Sequence, residues 1–170
     1  MLSESARMNS AAEARFRIQE SRLYFPTVKV IALDTPSERV VRRVARESWE
    51  HTTFLTAAAL SASYPVNIEV PQLRWLSDLA GRPRNLTDEV NAADLVVMVA
   101  TPGGRAHAAS IIGEACSLRR VMTTGLVVGG TSAPEAALSK TLLQLRPWSL
   151  MLVIVDAEEY IDNMLVALRG

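Results

Sequence analysis

The sequence is short of cysteine and has no excess of charge. Cys116 is the single cysteine, which excludes an intramolecular disulfide and a cysteine-based zinc site. Its apolar neighbours predict a small buried thiol. The 18 basic and 18 acidic residues cancel, so no overall charge attracts nucleic acid or an anionic membrane. We therefore predict neither a nucleic-acid partner nor a membrane partner.

Long apolar runs are also missing. Leu150–Val155 is typical of the runs present, and it is far shorter than the ~20 residues of a membrane-spanning helix. No signal peptide is visible, which predicts a cytoplasmic location. The two histidines, His51 and His107, are distant in sequence and have no matched acidic pair, so we predict no metal site. No residue pattern indicates a particular cofactor.

The 170 residues are 49% hydrophobic, which predicts a folded chain with a full core. We expect one α/β domain over residues 27–170 and an arm or helix over residues 1–26. The first residues are rich in Ala, Arg and Glu. They could dock on a second copy and so form a homo-oligomer, or they could be a disordered terminus.

Strand-like and helix-like segments alternate from residue 27 onward. Residues 60–84 are the exception, because breakers surround one possible strand at Asn67–Val70. Continuous apolar strands between helices predict a three-layer, Rossmann-like sheet of about five mostly parallel strands, with helices on both faces. The expected strands are Val28–Leu33, Thr53–Ala57, Leu95–Ala100, Val121–Val128 and Leu150–Val155, and the expected helices are Pro36–Trp49, Leu86–Ala92, Arg105–Leu118, Ala133–Leu145 and Glu158–Leu168.

The residues at the helix starts favour one of these helices as a binding site. Thr35, Ser132 and Asp156 each precede a glutamate by three residues, the spacing of a capping box. Such a glutamate repels an anionic ligand. The helix after Thr101-Pro102-Gly103-Gly104 has no such glutamate, and Arg105 adds positive charge there. An anion is therefore expected at this helix start.

The candidate ligand-binding residues lie in two turns. The first turn joins a strand to the helix that lacks a cap, and the second follows the next strand and would form a facing wall. A structural interpretation is also open, because glycine pairs serve tight turns that need a positive φ. The candidates are Thr101, Gly103, Gly104, Arg105 and His107 in the first turn, and Gly129, Gly130 and Thr131 in the second.

Two side chains are candidates for catalysis. His107, expected one turn inside its helix, could act as a general acid or base. Asp34 ends the first strand, where it could assist a reaction or simply shape the turn. The sequence has no G-x-S-x-G, Walker or G-x-G-x-x-G pattern, which disfavours a serine hydrolase, a P-loop kinase and an ordinary dinucleotide-binding site.

The order of elements resembles the nucleotide-binding domain of the tubulin and bacterial cell-division GTPase family. The likeness covers most of residues 27–160. It rests on the strand Val28–Leu33 and on Ala93–Ala100 followed by Gly103-Gly104, which is similar to the strand before that family's phosphate loop. That loop reads G-G-G-T-G-T-G in the family. The resemblance thus implies a nucleotide-like ligand at a degenerate phosphate loop.

A second, shorter likeness is to phosphoribohydrolases that carry P-G-G-x-G-T-x-x-E. Pro102-Gly103-Gly104 is similar to the start of that motif, but Ala106, His107 and Ser110 stand at its Gly, Thr and Glu positions. The substitution of the glutamate removes the catalytic group that the family would imply.

These observations predict a small intracellular domain of bacterial type. It would bind an anionic or nucleotide-like molecule at Thr101–His107, with little or no catalysis. One alternative is a hydrolase or transferase acting on a phosphorylated small molecule, with His107 as acid or base and Asp34 assisting. The other is an assembly protein without a ligand that uses the N-terminal arm and residues 60–84 as contact surfaces.

Overall fold

The computed structural model describes residues 24–58, 75–156 and 159–169. Most of the expected N-terminal arm lies outside these ranges. The strands are β1 (Val28–Ala32), β2 (Thr52–Thr56), β3 (Trp75–Asp78), β4 (Pro83–Asn85), β5 (Leu95–Ala100), β6 (Met122–Val128) and β7 (Met151–Val155). The helices with described bounds are α1 (Thr35–Val44), α2 (Leu86–Asn91), α3 (Ala108–Arg119), α4 (Glu135–Leu145) and α5 (Glu159–Arg169), and a 3-10 turn covers Arg146–Trp148.

One mixed sheet contains these strands in the order β4-β3-β2-β1-β5-β6-β7. Strands β2, β1, β5, β6 and β7 pair in parallel, whereas β3 is antiparallel to β2, and β4 to β3. The expected α/β class and the mostly parallel sheet are confirmed. The expected number of about five strands is too low, because the antiparallel edge adds two.

The two additional strands form a hairpin over residues 75–85, at the end of the segment 60–84 that the sequence predicted to be irregular. Asp78 closes its turn by accepting hydrogen bonds from the backbone amides of Ala80 (3.0 Å) and Arg82 (2.9 Å). Gly81 takes a φ of 83° in this turn. Pro83 is tolerated in β4 because an edge strand does not need every backbone N–H. The expected strand at Asn67–Val70 lies outside the described residues.

The central strands are apolar because both of their sides are buried. All residues of β1 and β5 are buried. Ile31 belongs to a cluster that includes residues of α2, α3 and α4, whereas its neighbour Val30 belongs to a second cluster with residues of α1 and α5. The alternation of side chains along a strand explains this division.

Lys29 interrupts the apolar sequence of β1 and is only 7% exposed. Its Nζ atom lies 2.9 Å from Oε2 of Glu89 on α2 and donates a hydrogen bond to Thr53 Oγ1 (3.0 Å). The Nε atom of Arg84 lies 3.1 Å from the other carboxylate oxygen of Glu89. The buried charge is therefore paired, as a charge away from water must be.

The start and end of α1 differ from the sequence prediction. Asp34, not Thr35, is its N-cap residue, and Ser37 rather than Glu38 completes the capping box. The helix ends at Val44, whose carbonyl accepts a hydrogen bond from Nε1 of Trp49 (2.8 Å), so the expected extension to Trp49 is wrong. This bond satisfies a carbonyl that the helix end leaves without an intrahelical partner.

Helix α4 also begins differently from its prediction. It starts at Glu135 with Pro134 as N-cap and without a side-chain capping bond, so the predicted cap by Ser132 is wrong. The Ser132 hydroxyl instead lies 3.5 Å from the Gly129 carbonyl oxygen. Helix α3 likewise has no side-chain cap. The lack of a side-chain cap therefore does not distinguish the start of α3 from that of α4.

Candidate functional site

The chain diverges at the carboxyl ends of β1 and β5. From β1 it passes through α1 to β2, whereas from β5 it passes through α3 to β6. Strands β2 and β6 lie toward opposite edges of the sheet. Helices α1 and α3 contribute residues to different core clusters. In open α/β sheets, ligands bind in the crevice that such a switch in direction creates.

Asp34 joins the ends of these two strands. Its Oδ1 atom accepts hydrogen bonds from the Ser37 amide (2.8 Å) and from Thr101 Oγ1 (3.0 Å). Its Oδ2 atom accepts one from the Thr101 amide (2.9 Å). The carboxylate is 5% exposed, so these three bonds fix its orientation at the base of the crevice.

The two glycines after β5 are required for different structural reasons. Gly103 has a φ of 76°, a conformation that favours glycine. Gly104 has no such φ, but a β-carbon there would lie 2.2 Å from Asp34 Oδ2. Gly104 is therefore needed for the close approach of the turn to the carboxylate.

Helix α4 holds the turn between β5 and α3 in place. The Gly103 amide donates to the Ala137 carbonyl (3.1 Å) and to Thr141 Oγ1 (3.0 Å). The Ala106 amide donates to Oε1 of Gln144 (3.1 Å). The Gly104 amide donates to the Thr101 carbonyl (3.0 Å). Since the Thr101 amide is bound to Asp34, four amides of the turn are already used within the protein.

A cleft of about 390 Å³ lies at this position. It brings together four of the predicted residues, Asp34, Gly103, Gly104 and Arg105, and Thr101 is bound to the first of them. The side chain of Arg105 is exposed. The cleft is lined by Asp34, Thr35, Pro36, Ala58, Gly103, Gly104 and Arg105.

His107 occupies a different position from the predicted one. It is the N-cap residue of α3, not a residue one turn inside the helix, because α3 begins at Ala108 rather than Arg105. Its exposed ring has Nδ1 3.4 Å from Nε2 of Gln144. His107 is not among the residues that line the cleft with Asp34.

The second predicted turn is bound to the neighbouring strand β7. The Gly129 amide donates to the Val155 carbonyl (2.7 Å), and the Thr131 amide donates to Oδ1 of Asp156 (3.1 Å). A β-carbon on Gly130 would lie 2.2 Å from a methyl group of Ile154. None of Gly129, Gly130 and Thr131 is among the residues that line the cleft.

Sequence reasoning missed the residues of α4 that support the turn. Thr141 is fully buried, and its hydroxyl both accepts from the Gly103 amide and donates to the Thr101 carbonyl (3.2 Å). The available signal was a pair of polar residues, Thr141 and Gln144, three apart on an otherwise mainly apolar helix segment. Residues three apart lie on one side of a helix, where they can contact the same loop.

Comparison of the chain with known proteins identifies no family. No protein-family model matches the chain, and no curated protein is significantly similar to it. In the three described ranges, no three or more His, Cys, Asp or Glu residues are grouped as they would be to hold a metal ion. No helix there has both the length and the apolar character needed to cross a membrane.

Proposed function

We propose that the protein binds a small anionic, nucleotide-like molecule in the cleft between β1 and β5. The position of this cleft carries the proposal. It lies at the switch point of the sheet, and its wall contains a glycine turn and an arginine. Ligands of open α/β sheets favour this position.

Arg105 is the group that would hold the anion. Its guanidinium offers a planar fork of donors that suits a phosphate or a carboxylate. The amides of Thr101, Gly103, Gly104 and Ala106 are engaged within the protein, so the anion does not depend on them. The glycines contribute by shaping the wall of the cleft, because Gly103 takes a positive φ and Gly104 lets the turn approach Asp34.

The cleft contains a hydrogen-bond acceptor, the carboxylate of Asp34, as well as the cationic side chain of Arg105. A carboxylate has about four acceptor positions. Three of those on Asp34 are used by Ser37 and Thr101. A sugar hydroxyl of the ligand would supply a fourth donor. This combination favours a nucleotide or a sugar phosphate over a bare anion.

The proposal assigns no catalytic step to the protein. The alternative of a hydrolase or transferase rests on His107 acting together with Asp34. His107 lies outside the lining of the cleft and is 3.4 Å from Gln144. The geometry therefore supports binding more than acid–base chemistry. The assembly alternative and the likeness to the tubulin family stay predictions.

Thermal unfolding with AMP, GMP, ribose phosphate and inorganic phosphate tests the proposal. A ligand that binds only the folded state raises Tm. We expect a nucleotide or ribose phosphate to raise Tm in the parent protein, and Arg105→Glu to abolish the effect. Arg46→Glu is the matched control, because Arg46 is exposed and follows the other end of α1.

Two results would contradict the proposal. If a nucleotide raises Tm equally in Arg105→Glu and in the parent, the site lies elsewhere. If none of the four compounds raises Tm, the cleft does not select the proposed ligand class.

A three-layer, Rossmann-like arrangement of the helices belongs to the same proposal. Residues of α1 and α5 share one core cluster with alternate residues of β1, and residues of α2, α3 and α4 share the other. This division supports helices on both faces of the sheet. A switch-point crevice requires such an arrangement.

A further inference from the structure

We propose that the protein has a second small-molecule site, at the amino end of β6, which takes an amphipathic carboxylate. The ligand would carry one carboxylate and a short apolar or aromatic body. A cavity of about 490 Å³ carries the proposal, and it is distinct from the cleft between β1 and β5. It is lined by Gly113, Ser117, Arg120, Val121, Met122, Thr123, Pro147, Trp148, Ser149 and Leu150.

The inner wall of this cavity is built by defined contacts. A β-carbon on Gly113 would lie 2.5 Å from that of Trp148, so the glycine in α3 allows the tryptophan to pack there. Thr123 Oγ1 donates to the Trp148 carbonyl (2.7 Å) and accepts from the Leu150 amide (3.3 Å). These bonds hold the segment before β7 against β6. The cavity is thus a shaped site whose volume lies within the range of small-molecule pockets.

Large apolar side chains at the cavity favour an apolar ligand body. Met122 is 56% exposed and Leu150 is 78% exposed, although both are large and apolar. Trp148 adds an aromatic surface to the lining. A ligand that covered these three side chains would remove apolar surface from water, which is favourable.

Arg120 supplies the single charge among the lining residues. It ends α3 with a φ of 56°, in the left-handed region where glycine and asparagine are the usual residues. An arginine at this position gives the cavity a guanidinium that can bind both oxygens of a carboxylate. The ligand is therefore expected to be an anion.

Ser149 adds a hydroxyl group to the lining of the cavity. Its Oγ atom is buried and has no hydrogen-bond partner in the part of the chain that the structure describes. Buried polar atoms in proteins are nearly always paired. Ser149 lines the cavity, but its Oγ atom lies against Gly125 of β6. A rotation of the side chain about χ1 would turn this hydroxyl toward the cavity, where a ligand carboxylate would supply an acceptor.

Phenylbutyrate is a suitable probe, and phenylbutanol is its neutral counterpart. We expect calorimetric titration of the full chain to show that phenylbutyrate binds at least about tenfold more tightly than phenylbutanol. Arg120→Asn removes the charge with a residue that tolerates a left-handed backbone. It should weaken phenylbutyrate binding by about tenfold, whereas Arg46→Asn, the matched control, should not.

Ser117→Trp tests the location without removing a charge. Ser117 is exposed on α3 and lines the cavity, so a tryptophan there fills the space. It should abolish binding of phenylbutyrate. Ser139→Trp is the matched control, because Ser139 is exposed on α4 and is not among the lining residues. Thermal unfolding of each variant confirms that it is folded.

Three results would overturn the proposal: no binding of phenylbutyrate, equal binding of phenylbutanol, or unchanged binding in a folded Ser117→Trp variant. Arg105→Glu, which tests the first cleft, should leave phenylbutyrate binding unchanged. The two sites can therefore fail independently.

Discussion

Asp34 and Gly104 approach each other so closely that a β-carbon on Gly104 would lie 2.2 Å from Oδ2 of Asp34. The carboxylate at the end of β1 is thereby enclosed by the turn that follows β5. The glycine pair that stands out in the sequence thus serves the packing of this turn. A ligand in the cleft would use a space that this packing has already shaped.

Gly104→Ala should lower the free energy of unfolding by about 1–3 kcal/mol, because the added methyl group overpacks the contact with Asp34. Asp34→Ala should also destabilise, since it removes the N-cap of α1 and the acceptor for Thr101. The double variant should lose less than the sum of the two single losses, because the clash is gone. Urea denaturation gives the free energy of unfolding of the parent, the two single variants and the double variant. Strictly additive losses would contradict the contact.

Glu89→Gln should lower the free energy of unfolding by about 3 kcal/mol, because it leaves the buried ammonium of Lys29 without its countercharge. Adding Lys29→Met should recover part of this loss. Glu114→Gln is the control, since Glu114 is exposed on α3, and it should change stability by less than about 0.5 kcal/mol. Guanidinium denaturation gives the comparison. A loss in Glu89→Gln no greater than in this control would show that the pair contributes nothing to stability.

Stability should depend on pH through Asp94. A hydrogen bond from the Tyr24 hydroxyl (2.5 Å) and one from the Thr27 amide (2.7 Å) hold the pKa of this carboxyl below its usual 3.8. The folded state therefore binds the proton more weakly than the unfolded state. The stabilisation is fully present above the usual pKa and is lost as the pH falls through the folded pKa.

Tyr24→Phe tests this dependence because it removes the hydrogen bond that lowers the pKa of Asp94 the most. The parent should have the higher Tm at pH 7, and the difference should shrink below about pH 4. Circular dichroism at a series of pH values records both curves. A difference that stays constant down to acid pH would assign the effect of Tyr24 to packing instead.

Cys116 should be inert in the native protein. It is fully buried, as the sequence predicted, and burial raises the pKa of its thiol to about 11. Since the thiolate is the reactive form, iodoacetamide at pH 8 should label the native chain slowly and the urea-unfolded chain quickly. Mass spectrometry follows the reaction, with Cys116→Ala as the control for other sites. Rapid labelling of the native chain would contradict the burial.

The parallel strands of the sheet could be predicted because their apolar runs reflect burial on both sides. The β3–β4 hairpin could not, because Gly81 and Pro83 resemble breakers until the strands beside them are paired. The cap of α1 was misassigned by one residue. The segment from Asp34 to Glu38 offers two overlapping cap patterns, and contact with Thr101 selects Asp34.

Part of the candidate site followed from chain order alone. The carboxyl ends of neighbouring parallel strands meet at one edge, which brings Asp34 to Gly104. The position of His107 depended on where α3 begins. That start could not be read locally, because the preceding turn is held by Gln144 of α4, a residue distant in sequence.

The hydrogen bonds from the Gly103 amide to Ala137 and Thr141 join a surface turn to the middle of α4. Exchange of this amide hydrogen with solvent therefore requires the turn to separate from the helix, not merely to fluctuate. We therefore expect the turn and α4 to open together as one unit of local unfolding. The free energy of that opening sets how readily one wall of the cleft can be reshaped.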